Sequence, residues 1–146
     1  MKTILLPIDF ENSSQHILEE GMAFAKLLQA KVYLMHTISL DIGYILGETG
    51  FQYIPEIENN ILEKETKQMD EYRKILIDEN IENEIIINQG IPAEMIIDKA
   101  DELKVSYIVM GSHARGIFFE SFLGSVSKEV LKKSKVPVLV VPSKKK

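Results

Sequence analysis

What most constrains this chain is its rhythm. Short β-branched apolar runs alternate with longer stretches whose apolar residues recur at helical spacing, from the first residues to the last. The first run, Thr3 to Pro7, reads as a strand. A helix follows, with Ser13 or Ser14 as its N-cap and Ile17, Gly21, Phe24 and Leu28 on one face. Lys31 to His36 reads as the second strand, Glu84 to Asn88 as the third, Ser106 to Met110 as the fourth and Val136 to Val141 as the fifth.

Between them, a helix is expected from about Pro55 to Asp78, with Ile57, Ile61, Met69, Tyr72 and Leu76 as its stripe. Another starts at Pro92, where a missing N–H costs nothing, and turns Ala93, Ile96, Ile97, Ala100 and Leu103 inward. A last one spans about Gly124 to Lys133. Residues 39–54 hold Gly43, Gly47 and Gly50 without a sustained period and read as a long mobile connection.

Strands separated by helices run parallel with right-handed crossovers, and near-continuous apolar runs suit a sheet covered on both faces. The expected architecture is therefore α/β and Rossmann-like: an open, doubly wound five-stranded parallel sheet in strand order 3-2-1-4-5, flanked by four helices, with residues 1–146 forming one domain. Ligands of such sheets sit beyond the carboxyl ends of the strands, where strand order reverses. The loops after the first, second and fourth strands are the places to search.

Composition narrows the function classes. Seventeen basic against 22 acidic residues give a formal charge of −5, which disfavours nucleic acid as a partner. Lys144, Lys145 and Lys146 read as a solvated tail. The absence of cysteine excludes disulfides and thiolate chemistry and fits a reducing cytoplasm. The amino terminus is too short in apolar character for a signal peptide or a membrane span. Three dispersed histidines, His16, His36 and His113, do not compose a metal site; His36 ends a strand beside the expected cleft and reads as structural.

The loop after the fourth strand reads Met110-Gly111-Ser112-His113-Ala114-Arg115-Gly116 and ends at Leu123-Gly124-Ser125-Val126-Ser127, opening the last helix. Glycine lets backbone N–H groups approach an anion, and a helix start adds unpaired donors and about half a positive charge. Ser125 and Ser127 offer hydroxyls, and His113 and Arg115 offer donors to phosphate oxygens. By residue physics alone a plainer reading stands beside this one: Gly111 ends a strand, Ser125 caps a helix, and the rest spans the gap. Asp9 and Glu11 read as solvated or cap-forming acids rather than an acid/base pair, and no nucleophile, base and orienter fall together. Strong catalysis is not expected.

The chain resembles the universal stress protein family. Its nucleotide-binding members carry glycine, two residues, glycine, nine residues, then glycine with serine or threonine; here Gly111, Ala114 and Gly124-Ser125 keep that register. The opening Ile4-Leu5-Leu6-Pro7-Ile8-Asp9-Phe10, the strand end Leu34-Met35-His36 and the final Val136-Pro137-Val138-Leu139-Val140-Val141 are similar to the family as well. The resemblance implies ATP between the first and fourth strands, with Pro7, Ile8 and Asp9 beside adenosine and Thr37 near adenine. It places Met110 and Gly111 along ribose and phosphates, and Gly124, Ser125, Val126 and Ser127 around the phosphate chain, with Mg2+ held mainly by the phosphates.

One departure is Ala114 in place of the second glycine, which costs about 1 to 2 kcal/mol if that position needs a left-handed backbone. The resemblance also implies a homodimer paired through strand 136–142, a dimeric sensor or switch in stress response, and at most slow ATP hydrolysis. The alternative is a family member that binds no nucleotide and serves as an interaction module for a protein partner. A nucleotidyl transferase is disfavoured, because Asp9-Phe10-Glu11-Asn12 stands where such an enzyme carries paired histidines.

Overall fold

A computed structural model describes residues 1–11, 13–112 and 124–143. In chain order it contains β1 (Thr3–Pro7), α1 (Ser14–Leu28), β2 (Lys31–Ile38), β3 (Tyr44–Gly47), β4 (Gly50–Tyr53), α2 (Pro55–Asp78), β5 (Asn83–Gln89), α3 (Pro92–Leu103), β6 (Tyr107–Gly111), α4 (Ser125–Lys133) and β7 (Val138–Val141). The main sheet has the order β5-β2-β1-β6-β7, and its neighbours pair in parallel. With the β3–β4 hairpin set aside, this is the expected order 3-2-1-4-5.

Alternation along the strands divides the core into two layers. Ile4 and Leu6 of β1, with Ile8 just beyond it, pack with Leu34, Val109 and the α1 residues Ile17, Leu18 and Ala25. Leu5 packs on the other face with Met35, Ile108, Met110, Ala93, Ile96 and Val130. Each layer seals one side of β1, as a period of two requires. Close approach of α1 to the sheet depends on Gly21: a Cβ there would stand 2.8 Å from a Leu6 methyl carbon.

Two expectations need correction. Residues 39–54 are not an unstructured connection, because Tyr44–Gly47 and Gly50–Tyr53 pair antiparallel across a two-residue turn. The alternating aromatic and aliphatic residues favour strands, and Gly50, at φ +111°, supplies the backbone turn that a side chain would resist. The last strand begins at Val138 rather than Val136; Pro137 lacks an N–H, and the ladder opens through its carbonyl, which accepts from Ile108 N at 3.0 Å. The N-cap of α1 falls at Ser13 as expected, without a side-chain cap hydrogen bond, while the Ser14 hydroxyl turns to Asp9.

Helix α2 is bound unevenly. Of its 24 residues only Met69 and Leu76 are buried, both in its second half. Its first half carries the hairpin: Ile54 N donates to Gly43 O at 2.7 Å, and the Tyr53 hydroxyl bonds the Glu58 carboxylate.

Replacing Gly21 with alanine tests the packing of α1. The helix gains about 0.5–1 kcal/mol in propensity, and overpacking against Leu6 costs about 1–3 kcal/mol. The expected outcome is a net loss of about 1 kcal/mol, read as a lower urea midpoint with an unchanged slope.

Candidate functional site

The chain runs outward from β1 to β5 on one side, then returns to β6 on the other. The strand order therefore reverses between β1 and β6. The β1–β2 ladder continues to Pro7 and Met35, whereas the β1–β6 register joins Ile4 to Tyr107 and Leu5 to Ile108. In a doubly wound sheet such a reversal is where a crevice for a ligand is expected.

Pro7, Thr37 and Met110 fall on the α3/α4 face by strand alternation, the face of Leu5, Met35 and Ile108. The Thr37 hydroxyl donates to Asn88 Oδ1 at 2.8 Å, so Asn88 of β5 joins this end of the sheet. Ile8 sends its side chain to the opposite core layer. Its N–H donates to Met35 O at 2.8 Å and its carbonyl accepts from His36 Nδ1 at 2.7 Å. Both backbone polar groups of Ile8 thus have a partner within the protein, and these bonds fix the position of its neighbours.

Asp9 is exposed, and its Oδ1 accepts from Glu11 N at 2.9 Å and from the Ser14 hydroxyl at 3.1 Å. This carboxylate organises the entry into α1. Phe10 follows with φ 61°, a left-handed conformation unusual for a bulky residue, and its ring sits 4.7 Å from His36 and 5.4 Å from Tyr72. Burial, with the Asp9 and Glu71 carboxylates adding, holds the Tyr72 phenol above its ordinary value.

On the β6 side, Met110 is buried and Gly111 pairs with Val141. Ser112 N donates to Val141 O at 2.9 Å, and Gly124 N to Ser112 O at 3.2 Å. These two amides serve the protein's own carbonyls, which moves the candidate anion donors to the start of α4. There Gly124 is the N-cap and provides no side-chain cap for the first-turn N–H groups of Ser125, Val126 and Ser127. Ser125 is exposed and Val126 half-buried. Ser127 is buried, and its hydroxyl donates to Gly111 O at 2.7 Å. His113, Ala114 and Arg115 lie outside the described residues, as does Gly116.

Among the described residues, the buried polar or charged side chains are Ser14, His36 and Ser127. Each fastens a loop at this end of the sheet: Ser14 to Asp9, His36 to Ile8 O and Ser127 to Gly111 O. Buried polar groups persist where they are satisfied, and here all three fix the backbone on either side of the crevice. The sequence assigned His36 a structural role but did not single out Asn88; the pairing of β5 beside β2 supplies that neighbour. No group of three or more His, Cys, Asp or Glu able to hold a metal occurs among the described residues, and no helix among them is long and apolar enough to cross a membrane.

A sheet that reverses between β1 and β6, with an uncapped helix start beside a glycine strand end, defines a doubly wound α/β protein. The sequence profile of the universal stress protein family matches residues 1–142, and the chain belongs to that family. It is similar to Universal stress protein MJ0577 of Methanocaldococcus jannaschii, at 36% identity over 98% of this chain and 96% of that one. A solved structure of MJ0577 overlays with a TM-score of 0.76, at 35% identity, covering 99% of this chain and 98% of the other.

Two further solved structures share the fold at 21% identity. One is a universal stress protein in complex with cAMP, TM-score 0.71, covering 98% of each chain. The other is the Archaeoglobus fulgidus protein in complex with dAMP, TM-score 0.66, covering 96% of this chain and 97% of that one.

Replacing Ser127 with alanine leaves the half-buried Gly111 carbonyl without this donor. The expected loss is about 1–2 kcal/mol in the ligand-free protein, measured by chemical denaturation. An unchanged stability would show that the serine does not brace the strand end.

Proposed function

We propose that this universal stress protein binds an adenine nucleotide, ATP with Mg2+, in the crevice between β1 and β6, and works as a dimeric nucleotide-dependent switch in a cytoplasmic stress response. The observation that carries this reading is the start of α4, where first-turn N–H groups without a side-chain cap stand beside the parting of β1 and β6. Such a helix start attracts phosphate through its donors and its dipole together. The cAMP and dAMP held by two solved relatives support the adenine nucleotide class.

In this reading Pro7, Thr37 and Met110 would form the apolar and hydroxyl wall for adenosine, with Asp9 at its rim. The N–H groups of Ser125, Val126 and Ser127 and the Ser125 hydroxyl would take the phosphates. Ser127 would contribute through its amide and through its grip on Gly111, since its hydroxyl is already engaged. Mg2+ would be held by phosphate oxygens and water, as a hard cation prefers, rather than by a cage of protein carboxylates. His113, Ala114 and Arg115, outside the described residues, would add to the nucleotide-binding set. Turnover would be slow at most.

The partner in the dimer would be a second copy joined at β7, which forms one edge of the sheet and exposes Leu139. A second reading, an interaction module that needs no nucleotide, is favoured by one observation. The hairpin sets Tyr44 opposite Tyr53 and Leu46 opposite Phe51 on one face, and Leu46 and Phe51 are 75% and 78% exposed.

Mass spectrometry of small molecules released from freshly purified, heat-denatured protein, followed by thermal-shift titration with MgATP, ADP and AMP, separates the readings. A released adenine nucleotide and a ligand-dependent rise in Tm are expected; an empty protein with no shift favours the interaction module. Ser125→Glu places a carboxylate at the helix start, which leaves the ligand-free Tm unchanged or slightly raised but abolishes the MgATP shift. For the dimer, light scattering at micromolar concentration is expected to give twice the chain mass, and Leu139→Lys to give one chain mass.

A further inference from the structure

The loop after β1 is held from an unexpected direction. A carbonyl oxygen only accepts, so the 2.7 Å contact between His36 Nδ1 and Ile8 O places the hydrogen on Nδ1. The other ring nitrogen, Nε2, lies 3.1 Å from Glu65 Oε2 of α2. Both atoms are sealed from solvent, the contact departs from hydrogen-bond alignment, and neither atom has another hydrogen-bond partner. Sealed from water, the ring nitrogen and the carboxylate oxygen have each other as their nearest polar neighbour. The imidazole thus meets the loop at one nitrogen and α2 at the other.

The surroundings reinforce the link. Phe10, in its left-handed conformation, lays its ring against His36 and reaches Tyr72 of α2. Asp9 lies in the same loop with Oδ1 committed to Glu11 N and Ser14, and β5 sets the uncharged Ile87 in register beside His36. Glu65 stands four residues before Met69, the first buried residue of α2, so the contact falls where the helix first meets the core. Glu58, two turns earlier on the same stripe, bonds the hairpin through Tyr53.

We propose that Glu65 and His36 form a buried tether by which α2 fixes the Ile8 carbonyl and with it the Pro7–Asp9 loop, making both positioning residues for the ligand of the crevice. The part that concerns nucleotide rests on the function proposed above. Neither residue touches the ligand; each acts through the backbone between Pro7 and Asp9.

The test compares wild type with His36→Leu, His36→Asn and Glu65→Gln. Asparagine keeps an N–H where Nδ1 stands and offers nothing toward Glu65. Hydrogen–deuterium exchange of the nucleotide-free protein is expected to rise about tenfold in segment 5–14 for His36→Leu, with β6 unchanged. His36→Asn restores most of the protection, and Glu65→Gln falls between. Calorimetry with MgATP is expected to show affinity about tenfold weaker for His36→Leu, largely recovered in His36→Asn.

Wild-type exchange in both His36→Leu and Glu65→Gln overturns the tether. Faster exchange with unchanged MgATP affinity overturns the positioning role. Absence of MgATP binding by the wild type overturns the proposed function and the nucleotide part of this inference, while the exchange data still decide the tether. If His36→Leu does not fold, Glu65→Gln decides by the same measurements.

Discussion

The structure depends on the burial of β1 from both sides. Ile4, Leu5 and Leu6 are completely withdrawn from solvent, with α1 and α2 over one face of the sheet and α3 and α4 over the other. No other arrangement hides three consecutive large aliphatic residues while pairing their backbone with β2 and β6. The polar end of this strand, Pro7 to Asp9, is thereby delivered to the edge of the core, where chain direction changes and a crevice follows from topology.

What makes the crevice more than a gap is how its walls are kept. Loops after parallel strands are ordinarily the variable parts of such folds. Here the buried serines and histidine of the described residues are spent on them, Ser14 and His36 on the β1 side and Ser127 on the β6 side. The left-handed Phe10 is tolerated because aromatic contacts on two sides hold it. Rigid backbone around a helix start is the arrangement that lets fixed dipoles act on an anion without first reorganising.

Much of this was legible in the residues. The apolar rhythm placed the five strands of the main sheet and their order, because period and crossover handedness leave few alternatives. Gly111 and the start of α4 stood out by the chemistry of glycine and helix ends. Pairing partners across the sheet were less visible: Asn88 meets the Thr37 hydroxyl, and Glu65 meets His36, only through neighbours distant in sequence. The hairpin was missed because three glycines between positions 43 and 50 read as loop, although two of them bracket a two-residue turn between alternating β-formers. The free hydroxyl expected of Ser127 proved to be engaged with Gly111, since its buried position turns it toward the strand end rather than outward.

The seam beside β1 is closed by reciprocal bonds between Thr3 and Ser106, residues 103 positions apart: Thr3 N donates to Ser106 Oγ at 3.1 Å, and Ser106 N to Thr3 O at 2.9 Å. During synthesis β1, α1 and β2 emerge early and can associate, yet β1 remains an open apolar edge until β6 leaves the ribosome. That closure carries the largest entropy cost of the sheet and comes late in assembly. The point where strand order reverses is thus absent from every chain made only as far as β5, and only a molecule that has joined its two halves owns one.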